Sequence, residues 1–128
     1  MAVSSQSVNE VADALAKKFP DRIHVLPAGL AMTELVRRLT NDKLPGVDAI
    51  LVDPKAKKAG LKVGLYRDKI HPTDLIASLQ GYIYYACLYQ KNPTKLKTSL
   101  YKDESLDRIL REVAWQVVTT NSRTGVVK

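Results

Sequence analysis

Asp68 and His71 stand three residues apart in Asp68-Lys69-Ile70-His71. At that spacing a chain that reverses in one turn returns a carboxylate to an imidazole ring nitrogen. With one nitrogen held, the other is left to accept a proton, which is the orienting half of a Ser-His-Asp triad. Pro72 disfavours a helical conformation at His71 and suits the start of a helix. The imidazole is therefore expected on a loop beside a helix N-terminus, a place where catalytic groups are often held. His71 is the expected general base, and Asp68 the group that fixes its tautomer and stabilises the imidazolium.

The flanking residues extend the pattern. Tyr66-Arg67 precede the Asp-x-x-His block and Pro72-Thr73 follow it, and then come Gln80-Gly81-Tyr82, Ala86-Cys87-Leu88-Tyr89 and Asn92-Pro93. This arrangement resembles the last block of the SGNH (GDSL-like) ester hydrolases, where Asp-x-x-His leads into a helix carrying Gly-x-Tyr and then a Pro-bearing loop. The likeness reaches upstream to His24-Val25-Leu26-Pro27-Ala28-Gly29 and downstream to Ala114-Trp115 and Thr124-Gly125-Val126. It thus spans most of the chain from about Phe19 onward. The resemblance implies the C-terminal part of a three-layer α/β/α sandwich with a parallel sheet, acting on acyl esters, often acetylated carbohydrates, with no cofactor or metal.

The resemblance also implies a nucleophilic serine in a Gly-Asp-Ser block, with a glycine and an asparagine from two further blocks completing the oxyanion hole. No Gly-Asp-Ser occurs in these 128 residues. Ser4, Ser5 and Ser7 lack the preceding Gly-Asp, and Asn41-Asp42 superficially matches the family's Gly-x-Asn-Asp but has Leu39 where the glycine belongs. The chain is therefore read as a single partial domain over 1–128 that supplies Asp68 and His71. Alone it is expected to show no appreciable esterase activity.

Length and composition agree with a globular domain. At 128 residues, with 45% hydrophobic and 26% charged side chains, the chain buries a real core but is short for a complete three-layer hydrolase. A formal charge of +7 invites an anionic partner. Much of the excess falls in a basic loop or hairpin at 54–67 and just beyond it, with Lys55, Lys57, Lys58, Lys62, Arg67 and Lys69 set against Asp68. No nucleic-acid module accompanies it, and aromatic residues are not interleaved with the lysines, so specific nucleic-acid binding is not expected. A second class of function remains open: a non-catalytic, helix-rich binding protein whose basic loop engages an anionic partner, with Asp68 and His71 a structural pair. Cys87 is the only cysteine, which rules out an intrachain disulfide and leaves the compartment unset. No run of about 18 apolar residues and no leader pattern are present, so no membrane association is expected. Oligomeric state is left open.

The elements that must position the pair read as about four helices and one clear strand. Ser7-Val8-Asn9-Glu10 has the form of a capping box, and Val8, Val11, Ala12, Leu15, Ala16 and Phe19 line one face of the helix after it. Ile23-His24-Val25-Leu26, closed by Pro27, reads as a buried strand, with His24 structural rather than a metal ligand. A helix over 30–40 follows, with Met32, Leu35, Val36 and Leu39 on one face. The apolar runs at 49–52 and 61–65 suggest a hairpin turning at 57–60. Thr73 or Pro72 opens the main helix, which buries Leu75, Ile76, Leu79, Ile83, Ala86 and Cys87 and carries Tyr82, Tyr84, Tyr85 and Tyr89 on flanks with wet hydroxyls. Gly81 in its middle suggests close approach of another backbone. Ser105 or Asp103 caps a last helix to about Asn121, whose core face is Leu106, Ile109, Leu110, Val113 and Val117, with Trp115 roughly opposite.

Overall fold

The computed structural model describes residues 2–52, 63–68 and 70–126, and among these the protein is a helix-dominated mixed α/β fold. In chain order the elements are α1 (Ala2–Lys18), α2 (Ala28–Thr40), β1 (Ala49–Leu51), β2 (Gly64–Tyr66), α3 (Asp74–Tyr89) and α4 (Glu104–Thr120), with single 3-10 turns at Pro93–Lys95 and Ser122–Thr124. The core forms where α3 and α4 pack, the most extensive contact between elements. Apolar residues three and four apart put Leu75, Ile76, Leu79, Ile83 and Ala86 on one side and Leu106, Leu110, Val113, Ala114, Val117 and Val118 on the other, all buried. Each large aliphatic side chain buried this way contributes about 1.5–3 kcal/mol. Ala31 and Leu35 of α2 close the third side. Trp115 is half-buried and packs against the same cluster.

The helix ends explain how α3 is aimed. Asp103 caps α4 by accepting the Leu106 amide at 3.0 Å. Thr73 is the N-cap residue of α3 but leaves that role unfilled, because its hydroxyl faces the carbonyls of Gly64 and Leu65 at 2.6 and 3.1 Å. The hydroxyl ties the start of α3 to β2 instead of to its own first turn.

The two apolar runs expected to form a hairpin pair in parallel, with Ala49 opposite Gly64 and Leu51 opposite Tyr66. A parallel pair cannot close through a tight turn and needs a crossover of about a dozen residues, which the connection from Val52 to Val63 supplies. The turn expected at 57–60, and Lys55, Lys57, Lys58, Lys62 and Lys69 of the basic stretch, lie outside the described residues.

Several other expectations are corrected. The run 23–26 forms no strand; among the described residues its one backbone bond to another segment is from the Val25 amide to the Arg123 carbonyl at 2.8 Å. Ser7 lies inside α1 rather than capping it. The stripe of α1 expected to be buried is open, with Val8, Val11, Leu15 and Phe19 each 41–60% exposed, while the small Ala12 and Ala16 are half-buried. What approaches Gly81 is the Leu100 side chain, whose Cδ1 would lie 2.8 Å from an added Cβ, not a backbone. Cys87 is half-buried instead of fully buried, and burial pushes its thiol pKa up.

Gly125 ends the turn at Ser122–Thr124 with φ +71°, and a side chain there would run into the His24 ring. Gly125→Ala is expected to cost about 1–2 kcal/mol from the left-handed backbone alone, and more from displacing His24. Urea denaturation at pH 7 checks this, with a fall in midpoint expected.

Candidate functional site

Asp68 and His71 occupy a four-residue turn directly beyond the C-terminal end of β2. Two backbone bonds clamp its base: the Arg67 amide donates to the His71 carbonyl at 2.9 Å, and the Thr73 amide to the Leu65 carbonyl at 3.0 Å. Inside the turn the Asp68 side chain folds back on the chain. Its Oδ1 accepts the amides of Ile70 and His71, both at 2.7 Å, and its Oδ2 lies 2.7 Å from Nδ1 of His71. The same local bonding that makes Asp a good turn residue thus also aims its second oxygen at the ring.

The electrostatics fix the tautomer. Hydrogen bonds from the His71 and Ile70 amides, and then from the His71 ring, lower the Asp68 pKa from its ordinary value to about 2. Near neutral pH the carboxylate is ionised and can only accept, so in the neutral ring Nδ1 carries the proton and Nε2 the lone pair. That nitrogen makes no hydrogen bond among the described residues, and the side chain is 64% exposed. The arrangement can take a proton from an incoming hydroxyl and hold the resulting imidazolium beside a carboxylate. Asp68 is itself 55% exposed, so its charge is screened by solvent and the pairing orients more than it stabilises.

Because Asp68 is lowered, its contribution to the folded turn is present above the ordinary carboxylate range and fades only as pH falls through about 2. Its carboxyl carbon, followed by NMR from pH 7 downward, is expected to hold its chemical shift to about pH 3. A midpoint near 4 would show that the turn does not persist in solution.

Sequence reasoning brought Asp68 and His71 together correctly in space. It missed a second polar constellation in the core. The Tyr82 hydroxyl, expected to be wet, is buried; it donates to Oδ1 of Asp107 at 2.5 Å and accepts the Leu100 amide at 2.8 Å. Asp107 also accepts the Tyr101 amide at 3.0 Å and the Arg111 Nε at 2.7 Å. The Arg111 guanidinium goes on to the carbonyls of Pro93, Leu96 and Thr98 and the Ser99 hydroxyl. Burial pushes the Asp107 carboxyl up, but the hydrogen bonds from Tyr82, Tyr101 and Arg111 outweigh it and hold the pKa below its ordinary value. The available signal was an Asp–Arg pair at i, i+4 interrupting the apolar face of α4. Every group in this network is satisfied, and its product is a fixed connection between α3 and α4.

A cleft of about 300 Å³ lies between Val63, Gly64, Leu75, Tyr101 and Lys102. Thr73, Asp74 and Leu100 line it as well, and His71 does not. No cluster of three metal-ligating side chains occurs among the described residues, and no helix there is long and apolar enough to cross a membrane.

Comparison with known proteins returns nothing: no family model, no curated protein and no solved structure matches the chain.

Proposed function

We propose that this chain is the C-terminal portion of a serine ester hydrolase of the SGNH type, and that it supplies the base and its orienting acid. The observation that carries the reading is the 2.7 Å contact of Asp68 Oδ2 with His71 Nδ1, which in the neutral ring directs the lone pair to Nε2, on a side chain 64% exposed. Its position adds support. In open α/β sheets ligands gather beyond the carboxyl ends of parallel strands, and the pair follows the C-terminal end of β2 in a parallel pairing. In this reading β1 and β2 belong to the sheet of a three-layer α/β/α sandwich.

His71 Nε2 removes the proton from a serine hydroxyl as it attacks the acyl carbon of an ester, then returns it to the departing alcohol. Asp68 keeps the ring in the required tautomer and stabilises the imidazolium between the two transfers. The serine and the oxyanion donors come from a Gly-Asp-Ser block and its companions, which these 128 residues do not contain. Substrates are acyl esters, with acetylated carbohydrates the leading class by resemblance, and neither metal nor cofactor takes part.

Labelling with a fluorophosphonate probe tests this. The 128-residue chain is expected to label at no serine. A polypeptide that joins a Gly-Asp-Ser block to this chain is expected to label at that serine, and to lose labelling in His71→Ala. Labelling indifferent to both His71→Ala and Asp68→Asn would sink the proposal.

A further inference from the structure

We propose that the cleft at the start of α3 binds a small α-amino acid, taking its carboxylate on the α3 N-terminus and its ammonium on Asp74. Asp68 and His71 do not line that cleft, so the proposal stands independently of the ester-hydrolase reading. The first bond along α3 runs from the Ala77 amide to the Thr73 carbonyl, which leaves the amides of Asp74, Leu75 and Ile76 without a partner in the helix. At α4 a capping carboxylate meets such amides. At α3 no side chain does, because Thr73 turns its hydroxyl to the carbonyls of Gly64 and Leu65. The three amides point out of the helix end and carry its partial positive charge.

A second group, from the other wall, also asks for a ligand. Tyr101 is only 8% exposed and lines the same cleft, yet its hydroxyl makes no hydrogen bond among the described residues. A buried tyrosine ordinarily finds a partner for that group, as Tyr82 does with Asp107 and the Leu100 amide. No fully enclosed side-chain nitrogen or oxygen among the described residues is left unpaired, so the Tyr101 hydroxyl is open to the cleft rather than sealed in the core. Burial, and then the charges of Asp103 and Asp74, push its pKa up. It therefore keeps its proton near neutral pH and is available as a donor.

The charges decide the occupant. Asp74 and Lys102 line the cleft together, and neither side chain makes an ion pair among the described residues; Asp103, close by, is engaged at the start of α4. A simple anion suits the α3 amides, the Tyr101 hydroxyl and Lys102 but is repelled by Asp74. A simple ammonium suits Asp74 but is repelled by Lys102 and leaves the amides bare. A zwitterion answers both: its carboxylate accepts from the amides, the hydroxyl and Lys102, and its ammonium donates to Asp74. Val63, Leu75 and Leu100 give an apolar side chain something to lie against, and a volume of about 300 Å³ is at the small end of the range for ligand sites.

The test titrates the 15N-labelled 128-residue chain with L-leucine and with two truncated forms of it: 4-methylpentanoate, which lacks the ammonium, and 3-methylbutylamine, which lacks the carboxylate. L-Leucine at about 10 mM, tenfold above a weak Kd of about 1 mM, is expected to shift the amide signals of Leu75 and Ile76. Each truncated form is expected to bind at least tenfold more weakly. Asp74→Asn, a change at an exposed position, is expected to weaken leucine binding at least tenfold, and Tyr101→Phe at least threefold. Tyr101→Phe is expected to leave the thermal midpoint of unfolding unchanged, because its hydroxyl bonds to nothing inside the chain. Unmoved Leu75 and Ile76 signals overturn the proposal. Equal binding of 4-methylpentanoate makes this an anion site and equal binding of the amine a cation site, and either result overturns it as well. So does leucine binding undiminished by Asp74→Asn or by Tyr101→Phe, or a lowered midpoint in Tyr101→Phe, which would give the hydroxyl an internal partner.

Discussion

Asp107→Ala is expected to lower the stability of the folded chain by about 3–5 kcal/mol, the cost typical of removing one partner from a buried ion pair. Asp107 and Arg111 side chains are 3% and 9% exposed. Alanine at 107 therefore leaves the guanidinium charged and buried, and strands the Tyr82 hydroxyl and the Tyr101 amide. Arg111→Met is expected to cost at least as much, since it abandons the carbonyls of Pro93, Leu96 and Thr98 as well. The double variant should fall well short of the sum, because once one charge is gone the second change removes an already unpaired one. Urea denaturation at pH 7 measures all three, and strict additivity would show that the network does not act as a unit. The pH dependence follows from the same group. Asp107 is held below its ordinary value, so its contribution is complete above about pH 4 and is lost as pH falls through the lower folded-state value.

The second large effect concerns chemistry. When a Gly-Asp-Ser block is joined to this chain and hydrolysis of a small activated acyl ester is followed, His71→Ala is expected to lower kcat by about 10²–10⁴. Asp68→Asn is expected to be severe for a different reason. Its amide oxygen can still accept the Ile70 and His71 amides, but its NH2 group would face Nδ1 as a donor and force the proton onto Nε2, so the base is lost while the turn survives. The 128-residue chain alone should turn over at no enzymatic rate, for on the proposed reading the nucleophile and oxyanion donors come from blocks these residues do not contain, and even one such donor is worth about 10²–10³. Enzymatic turnover by the short chain, abolished by His71→Ala, would show that one of its own serines serves.

What the sequence revealed divides by range. α2, α3 and α4 were legible because each carries an apolar face at helical spacing over three turns or more, and their observed ends fall within a few residues of expectation. The Asp68–His71 contact was legible because its geometry is contained in one turn. The parallel pairing was not, since β1 and β2 are three residues each and so short a run says nothing about its partner's direction. Tyr82 and Asp107 meet across 25 residues, and no local pattern marks a tyrosine as dry. On α1 the periodicity correctly indicated a helix, but a period states only that a face is apolar and not that something covers it.

The Arg111 guanidinium has a consequence for how the chain reaches its fold. Its bonds to Pro93, Leu96, Thr98 and Ser99 can form only after the connection between α3 and α4 has wrapped around it. Before that moment the same charge opposes desolvation of the helix face that carries Leu110 and Ala114. Docking of α3 onto α4 is therefore coupled to placement of the connection: with the connection misplaced, the guanidinium keeps only its bond to Asp107 within α4. Partly assembled states are thereby depleted and folding becomes more nearly all-or-none, a form of cooperativity that an apolar residue at this position would not impose.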